Sequence, residues 1–181
     1  MLSELRARIE DELGGRLFFA LSLEDGRTFR SPEEGWELAA EKWPRIKGDV
    51  VECSRCLALE RYGGALFHAM QVAELGVVEL SKLLGVAGDK PGWGAVQRLE
   101  EIANTRLAER SDAGRRYDEL LKATVVSLRV MKDSWRHKIE HADNKLKFLD
   151  ADFSEEMANE IIVAVRGFMR SMALKWPQEK C

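Results

Sequence analysis

The sequence predicts an all-α protein, an up-and-down bundle of four to five helices with a small N-terminal appendage. Three observations carry that expectation. Apolar residues recur every three or four positions over stretches far longer than a strand. The 14 Gly and 4 Pro gather largely between those stretches. Val, Ile and Thr are too scattered to build many strands.

Leu2, Leu5, Ile9 and Leu13 make one apolar stripe, and Gly14-Gly15 stops it. Leu17 to Leu23, followed by Asp25-Gly26 and Thr28-Phe29, reads as a short hairpin about an Asp-Gly turn. In Ser31-Pro32-Glu33-Glu34 a Ser cap, a first-turn Pro and two acids suit the positive end of a helix. That helix carries Trp36, Ala39, Ala40 and Trp43 and bends at Pro44 and Gly48.

The longest element is expected from about Asp49 to Leu84, with Leu59, Tyr62, Leu66, Met70, Ala73, Val77, Leu80 and Leu84 on one face. Gly63-Gly64 inside it implies a bend or a close helix crossing. Gly85 to Gly94 reads as a loop, and a shorter helix through Leu99 and Ile102 follows. A fourth strong helix begins near Asp112 and presents Tyr117, Leu121, Thr124, Leu128, Met131, Trp135 and Ile139. The last starts at Asp152 or Ser154 and runs through Ile161, Val165, Phe168 and Met172 toward Trp176. Residues 1-43 are thus the appendage, 44-177 the bundle and 178-181 a tail.

A chain of 181 residues, 45% apolar and 33% charged, can bury a real core. Its net charge of -3 gives no general attraction to polyanions, so any nucleic-acid contact needs a local patch. Acids near the N-terminus do not suit a signal peptide, and no apolar run reaches the ~18 residues of a spanning segment. The expectation is a cytoplasmic protein without membrane contact. Three cysteines, an odd number, make poor material for a disulfide framework.

Cys53 and Cys56 have the spacing of a redox pair or half a zinc site, but with no second pair they read as two small helix residues. The glycines from Gly85 to Gly94 precede no Gly-Lys-Ser/Thr, so that segment reads as a connection rather than a phosphate loop. His68 lies off the main stripe, and its plain reading is a partly buried, hydrogen-bonded imidazole. The other two histidines fall in Trp135-Arg136-His137-Lys138-Ile139-Glu140-His141. At about 100° per residue, Arg136, His137 and Glu140 share a polar surface, with His141 at its edge, away from Leu128, Met131 and Trp135. The stretch from Ala113 to Lys147 holds nine Lys or Arg against five acids, a basic patch in an acidic chain. Such a set suits RNA phosphodiester cleavage: an imidazole takes or gives the proton, and Arg stabilises charge on the phosphorus oxygens.

At these residues the sequence resembles the HEPN superfamily, whose signature is Arg, a polar residue, three more residues and then His, late in a bundle helix. Arg136 to His141 fits that pattern, and Glu60-Arg61-Tyr62 through Ala65-Leu66-Phe67-His68-Ala69-Met70 to Glu74 is similar to the long helix of uncharacterised bacterial members. The resemblance covers about Pro44 to Trp176. It implies a homodimer that brings Arg136 and His141 of both subunits into one metal-independent RNA-cleaving site, of the kind found in toxin-antitoxin and antiviral systems. In that reading His141 is general acid or base, Arg136 holds the scissile phosphate and His137 assists. Glu74, Glu140, Lys138 and Lys132 support or bind substrate, RNA and an antitoxin are the partners, and no cofactor or metal is called for. The alternative is a non-catalytic HEPN-like dimer that binds a protein partner or nucleotide around His68, Leu75 and Gly63-Gly64.

Overall fold

In a computed structural model, which describes residues 2–16, 20–86, 93–139 and 153–177 (132–139 by backbone alone), the chain is all-α, with no strand among the described residues. Among them, too, no helix is long and apolar enough to cross a membrane. The first helix, α1 (Leu2–Gly14), buries none of its residues.

The expected hairpin is absent from the described residues, and 17–19 lie outside them. Leu23–Arg30 forms α2 instead, because Ser22 caps it, its side chain accepting from the Asp25 N–H. Glu24 and Asp25 occupy the first turn and Arg27 and Arg30 the last, matching the helix dipole. Asp25-Gly26 therefore sits within a helix. Ser31, expected to open the next helix, closes this one with its N–H on the Arg27 carbonyl. Pro32 to Trp36 make turns, Gly35 taking φ +82°, before α3 (Glu37–Lys42). Pro44 opens a 3-10 turn, whereas Gly48 lies inside α4 (Lys47–Ala58) and bends nothing.

The expected single long helix is two, α4 and α5 (Tyr62–Leu83), folded back as a hairpin. Glu60 turns the chain at φ 56°, with Arg61 N–H on the Cys56 carbonyl and Glu60 N–H on that of Leu57. That is a Schellman stop with Glu where Gly is usual. Gly63-Gly64 consequently opens α5, and a Cβ on Gly64 would stand 3.0 Å from Cys56 Sγ on α4, a close crossing as expected. The same stop recurs after α5, where Gly85 has φ 67° and Val86 N–H reaches the Ser81 carbonyl.

Val96–Asn104 is α6. The fourth strong helix divides at Tyr117 into α7 (Asp112–Arg116), capped by Ser111, and α8 (Asp118–Ile139). The last, α9 (Glu155–Lys175), starts at Ser154, whose hydroxyl accepts from the Met157 N–H, and Asp152 lies outside the described residues.

Helix α5 packs between α4 and α9, while α9 also meets α3 and α8, and α8 meets α6. The core runs through all of them: Trp36, Trp43, Leu66, Met70, Leu80, Leu99, Leu121, Leu128, Phe168 and Met172 belong to one buried cluster. Trp43 and Trp176 meet edge to face at 5.2 Å. Lys175 lies 3.9 Å from Glu119, so α8 and α9 run antiparallel, and the end of α8 returns toward the start of α9.

At Gly76 the backbone of α5 touches α9 so closely that a Cβ would stand 2.5 Å from Phe168 Cε1 and 2.6 Å from Met169 Sδ. Gly76→Ala should therefore destabilise the protein by about 1–2 kcal/mol in urea unfolding, although Ala is the better helix former. Glu60→Gly should do the opposite, raising stability by about 0.5–1 kcal/mol through relief of the left-handed backbone.

Candidate functional site

Helix α8 is the scaffold on which the sequence-derived site stands, and its start is firmly held. Arg110, 7% exposed, donates through Nε and Nη2 to the carbonyls of Thr105 and Ala103 at the end of α6, and through Nη1 to Asp118 at the start of α8, 2.5 Å away. One guanidinium thus ties the carbonyl end of one helix to the amide end of the next. Lys122 also bonds Asp118, and these two cations, Lys122 foremost, hold its carboxyl below the usual range. Leu120, Leu121, Thr124, Val125, Leu128 and Met131 turn the inner face of α8 into the core.

The helix then continues unbroken to Ile139, carrying Lys132, Arg136, His137 and Lys138 on its last two turns. By helix register the position of Arg136 is about 140° round from buried Met131. Glu140 and His141 lie outside the described residues. Glu74 is half-buried midway along α5.

The basic surplus is smaller in space than in sequence. Arg129 donates to Glu100 on α6 at 3.1 Å, Arg115 pairs with Asp112, and Lys122 with Asp118. Two of those acids, Glu100 and Asp112, fall before the counted stretch, so folding neutralises cations that the linear count left over. Toward the end of α8 the sequence carries Lys132, Arg136 and Lys138 with Asp133.

A second arrangement joins residues that sequence reading kept apart. His68 Nδ1 lies 2.9 Å from Asp49 Oδ1, the two nineteen positions apart and facing across the α4–α5 hairpin. Both are partly buried, and the exposed Phe67 ring meets the imidazole edge to face at 5.3 Å. With Asp49 ionised, Nδ1 carries a hydrogen and donates it to the carboxylate. His68 was expected to be hydrogen-bonded, but its partner has no signature in the sequence, because only the reversal at Glu60 brings α4 and α5 together. At Gly64 the Cys56 Sγ packs against the backbone of α5, and both Gly63 and Gly64 stay partly exposed.

Cys53 lies in the core at 1% exposure, and burial, resisted mainly by the charge of Arg166, pushes its thiol up to about 12. Burial also raises Cys56. A buried, protonated thiol such as Cys53 is a poor nucleophile at neutral pH. Among the described residues there is no cluster of three or more His, Cys, Asp or Glu that could hold a metal ion.

Two outcomes follow for Cys53. At pH 8 iodoacetamide should leave it unmodified in the folded protein and alkylate it in urea, as read by peptide mass spectrometry. The native state keeps a proton that the unfolded thiol loses near its ordinary 9.0, so this contribution to stability is intact below pH 9 and declines as pH rises toward 12. Denaturation at pH 8 and 10.5 should show a smaller decline for Cys53→Ala than for wild type.

Compared with known proteins, the chain matches no family model, and no curated protein or solved structure is significantly similar to it.

Proposed function

We propose that the protein is a metal-independent endoribonuclease of the HEPN type, working as a cytoplasmic homodimer on RNA. The observation that carries the reading is the pairing of the Arg136-to-His141 signature with a continuous α8, which delivers Arg136 and His137 at the end of a core-anchored helix. A rigid helix suits a site that must hold its groups to within a fraction of an ångström. In the finer form of this reading, α4, α5, α6, α8 and α9 correspond to an up-and-down bundle of four to five helices.

The chemistry needs no electron transfer and no cofactor. A basic imidazole takes the proton of a ribose 2'-hydroxyl, whose oxygen attacks the adjacent phosphorus. The P–O bond to the 5'-oxygen of the next nucleotide breaks, and a protonated imidazole gives that oxygen its proton. The products are a 2',3'-cyclic phosphate and a free 5'-hydroxyl. His141 is assigned the proton transfer, Arg136 the charge on the non-bridging oxygens and His137 the supporting role. Dimerisation supplies the second imidazole, since Arg136 and His141 of both subunits meet in the composite site. Glu74, Glu140, Lys132 and Lys138 are assigned to substrate binding or support, and an antitoxin is the partner that would restrain such an enzyme.

Incubation of mixed RNA with the protein in excess EDTA should yield fragments ending in cyclic phosphate. Arg136→Ala and His141→Ala should each lower the rate at least a hundredfold with unchanged helical circular dichroism. Intact RNA with dimeric, inhibitor-free wild type would overturn the reading and leave the helical dimer as a binding module.

A further inference from the structure

Arg166, on α9, is a partly buried cation with no carboxylate at ion-pair distance among the described residues. Its Nε is sealed from solvent with no hydrogen-bond partner among the described residues. The guanidinium lies over the ring of Trp36, Cζ 5.3 Å from the centroid, and Trp36 is 1% exposed. Glu37, the nearby carboxylate, is engaged elsewhere, accepting from the Gly35 N–H at 2.9 Å. That backbone bond, ahead of the charges of Arg166 and Arg170, holds its carboxyl low. A buried, unmet N–H is costly, and since Nε is closed to solvent an anion reaches Arg166 through its other guanidinium nitrogens.

The room for one is present. Arg166 borders a cleft of about 390 Å³, in the size range of small-molecule sites, between α2, the turn after it, α4 and α9. Thr28 and Ser31 add hydroxyls to the lining, while Ser54 donates its own to the Pro32 carbonyl at 2.7 Å. Gly35 belongs to the construction: a Cβ there would stand 3.1 Å from Arg166 Cδ, on a backbone already in the left-handed region. Charge narrows the ligand further. Arg27 is held by Glu34 at 2.5 Å, which leaves the cleft one further cation, Arg166, and one further acid, Glu24. One such cation suits one small oxyanion and disfavours polyphosphate or RNA.

We propose that this cleft binds a small metabolite carrying one phosphate or carboxylate, seated on Arg166, with hydroxyl or ammonium groups at its other end held by Glu24. The site is independent of Arg136 and His141. Because it joins α2 to α9, its occupation stiffens the attachment of the N-terminal helices to the core.

Calorimetric titration and thermal unfolding of the full chain decide it, with glycerol 3-phosphate and inorganic phosphate as one arm and glycine and acetate as the other, all at equal ionic strength. One arm should bind with millimolar affinity or better and raise the unfolding temperature, which identifies the headgroup. Arg166→Lys should weaken that ligand at least tenfold. Ser31→Trp, at an exposed position on the cleft, should also weaken it tenfold while leaving the ligand-free unfolding temperature unchanged, so the test stands even where Arg166→Lys fails to fold. No binding by either arm at 10 mM, or equal binding by wild type and Ser31→Trp, would overturn the proposal.

Discussion

The contact between α5 and α9 at Gly76 is the constraint around which the other helices are placed. The absence of one side chain lets Phe168 and Met169 lie directly on a helix backbone, in space that a methyl group would need. Close approach of this kind multiplies dispersion contacts and excludes water along both helices, which is why Leu66, Met70, Ala73, Val77 and Leu80 on one side and Val165, Phe168, Met169 and Met172 on the other are all but sealed. Helix α4 then covers one flank of the pair, α8 the flank of α9, and α3 lays Trp36 and Trp43 across the remainder.

Where apolar packing sets which faces meet, a few polar groups set angles. Arg110 joins the end of α6 to the start of α8, fixing the direction in which α8 carries Arg136. The Asp49–His68 pair clasps the α4–α5 hairpin, and Arg45 on Glu79 clasps it again near the other end of α5, at 2.5 Å. The fold is thereby held at its crossings by charge-assisted bonds and between them by packing.

Much of this was legible in the sequence, and the failures share a cause. Stripe periodicity identified the inner faces of α5, α8 and α9 because burial selects apolar residues whatever the loops do. The start of α9 was expected at Asp152 or Ser154 from cap chemistry, and Ser154 is the residue that caps it. The stop at Gly85 was visible since Gly takes the left-handed conformation freely; the stop at Glu60, identical in its hydrogen bonds, was not, because packing of α4 on α5 overrides the residue's own preference. Asp25-Gly26 misled for the complementary reason: the cap at Ser22 and the charges flanking it outweigh a turn-forming dipeptide. For the sites, spacing placed Arg136 and His137 on one helix, and both fall on α8. Asp49 with His68, and Arg166 with Trp36, join different elements, and no local pattern contains them. The basic surplus shrank because Glu100 and Asp112 lie outside the stretch that was counted.

The position of α9 in the chain also governs how the protein comes into being. Helices α3, α4 and α5 are finished by residue 83, yet the surfaces they will bury against Ile161 to Met172 have nothing to cover them until those residues have been synthesised. The α4–α5 hairpin, built from near neighbours, forms early, while the contact at Gly76 spans more than ninety residues and forms late. During translation the growing chain therefore presents an open apolar groove along α5, the interval in which a chaperone has something to hold and aggregation has something to exploit.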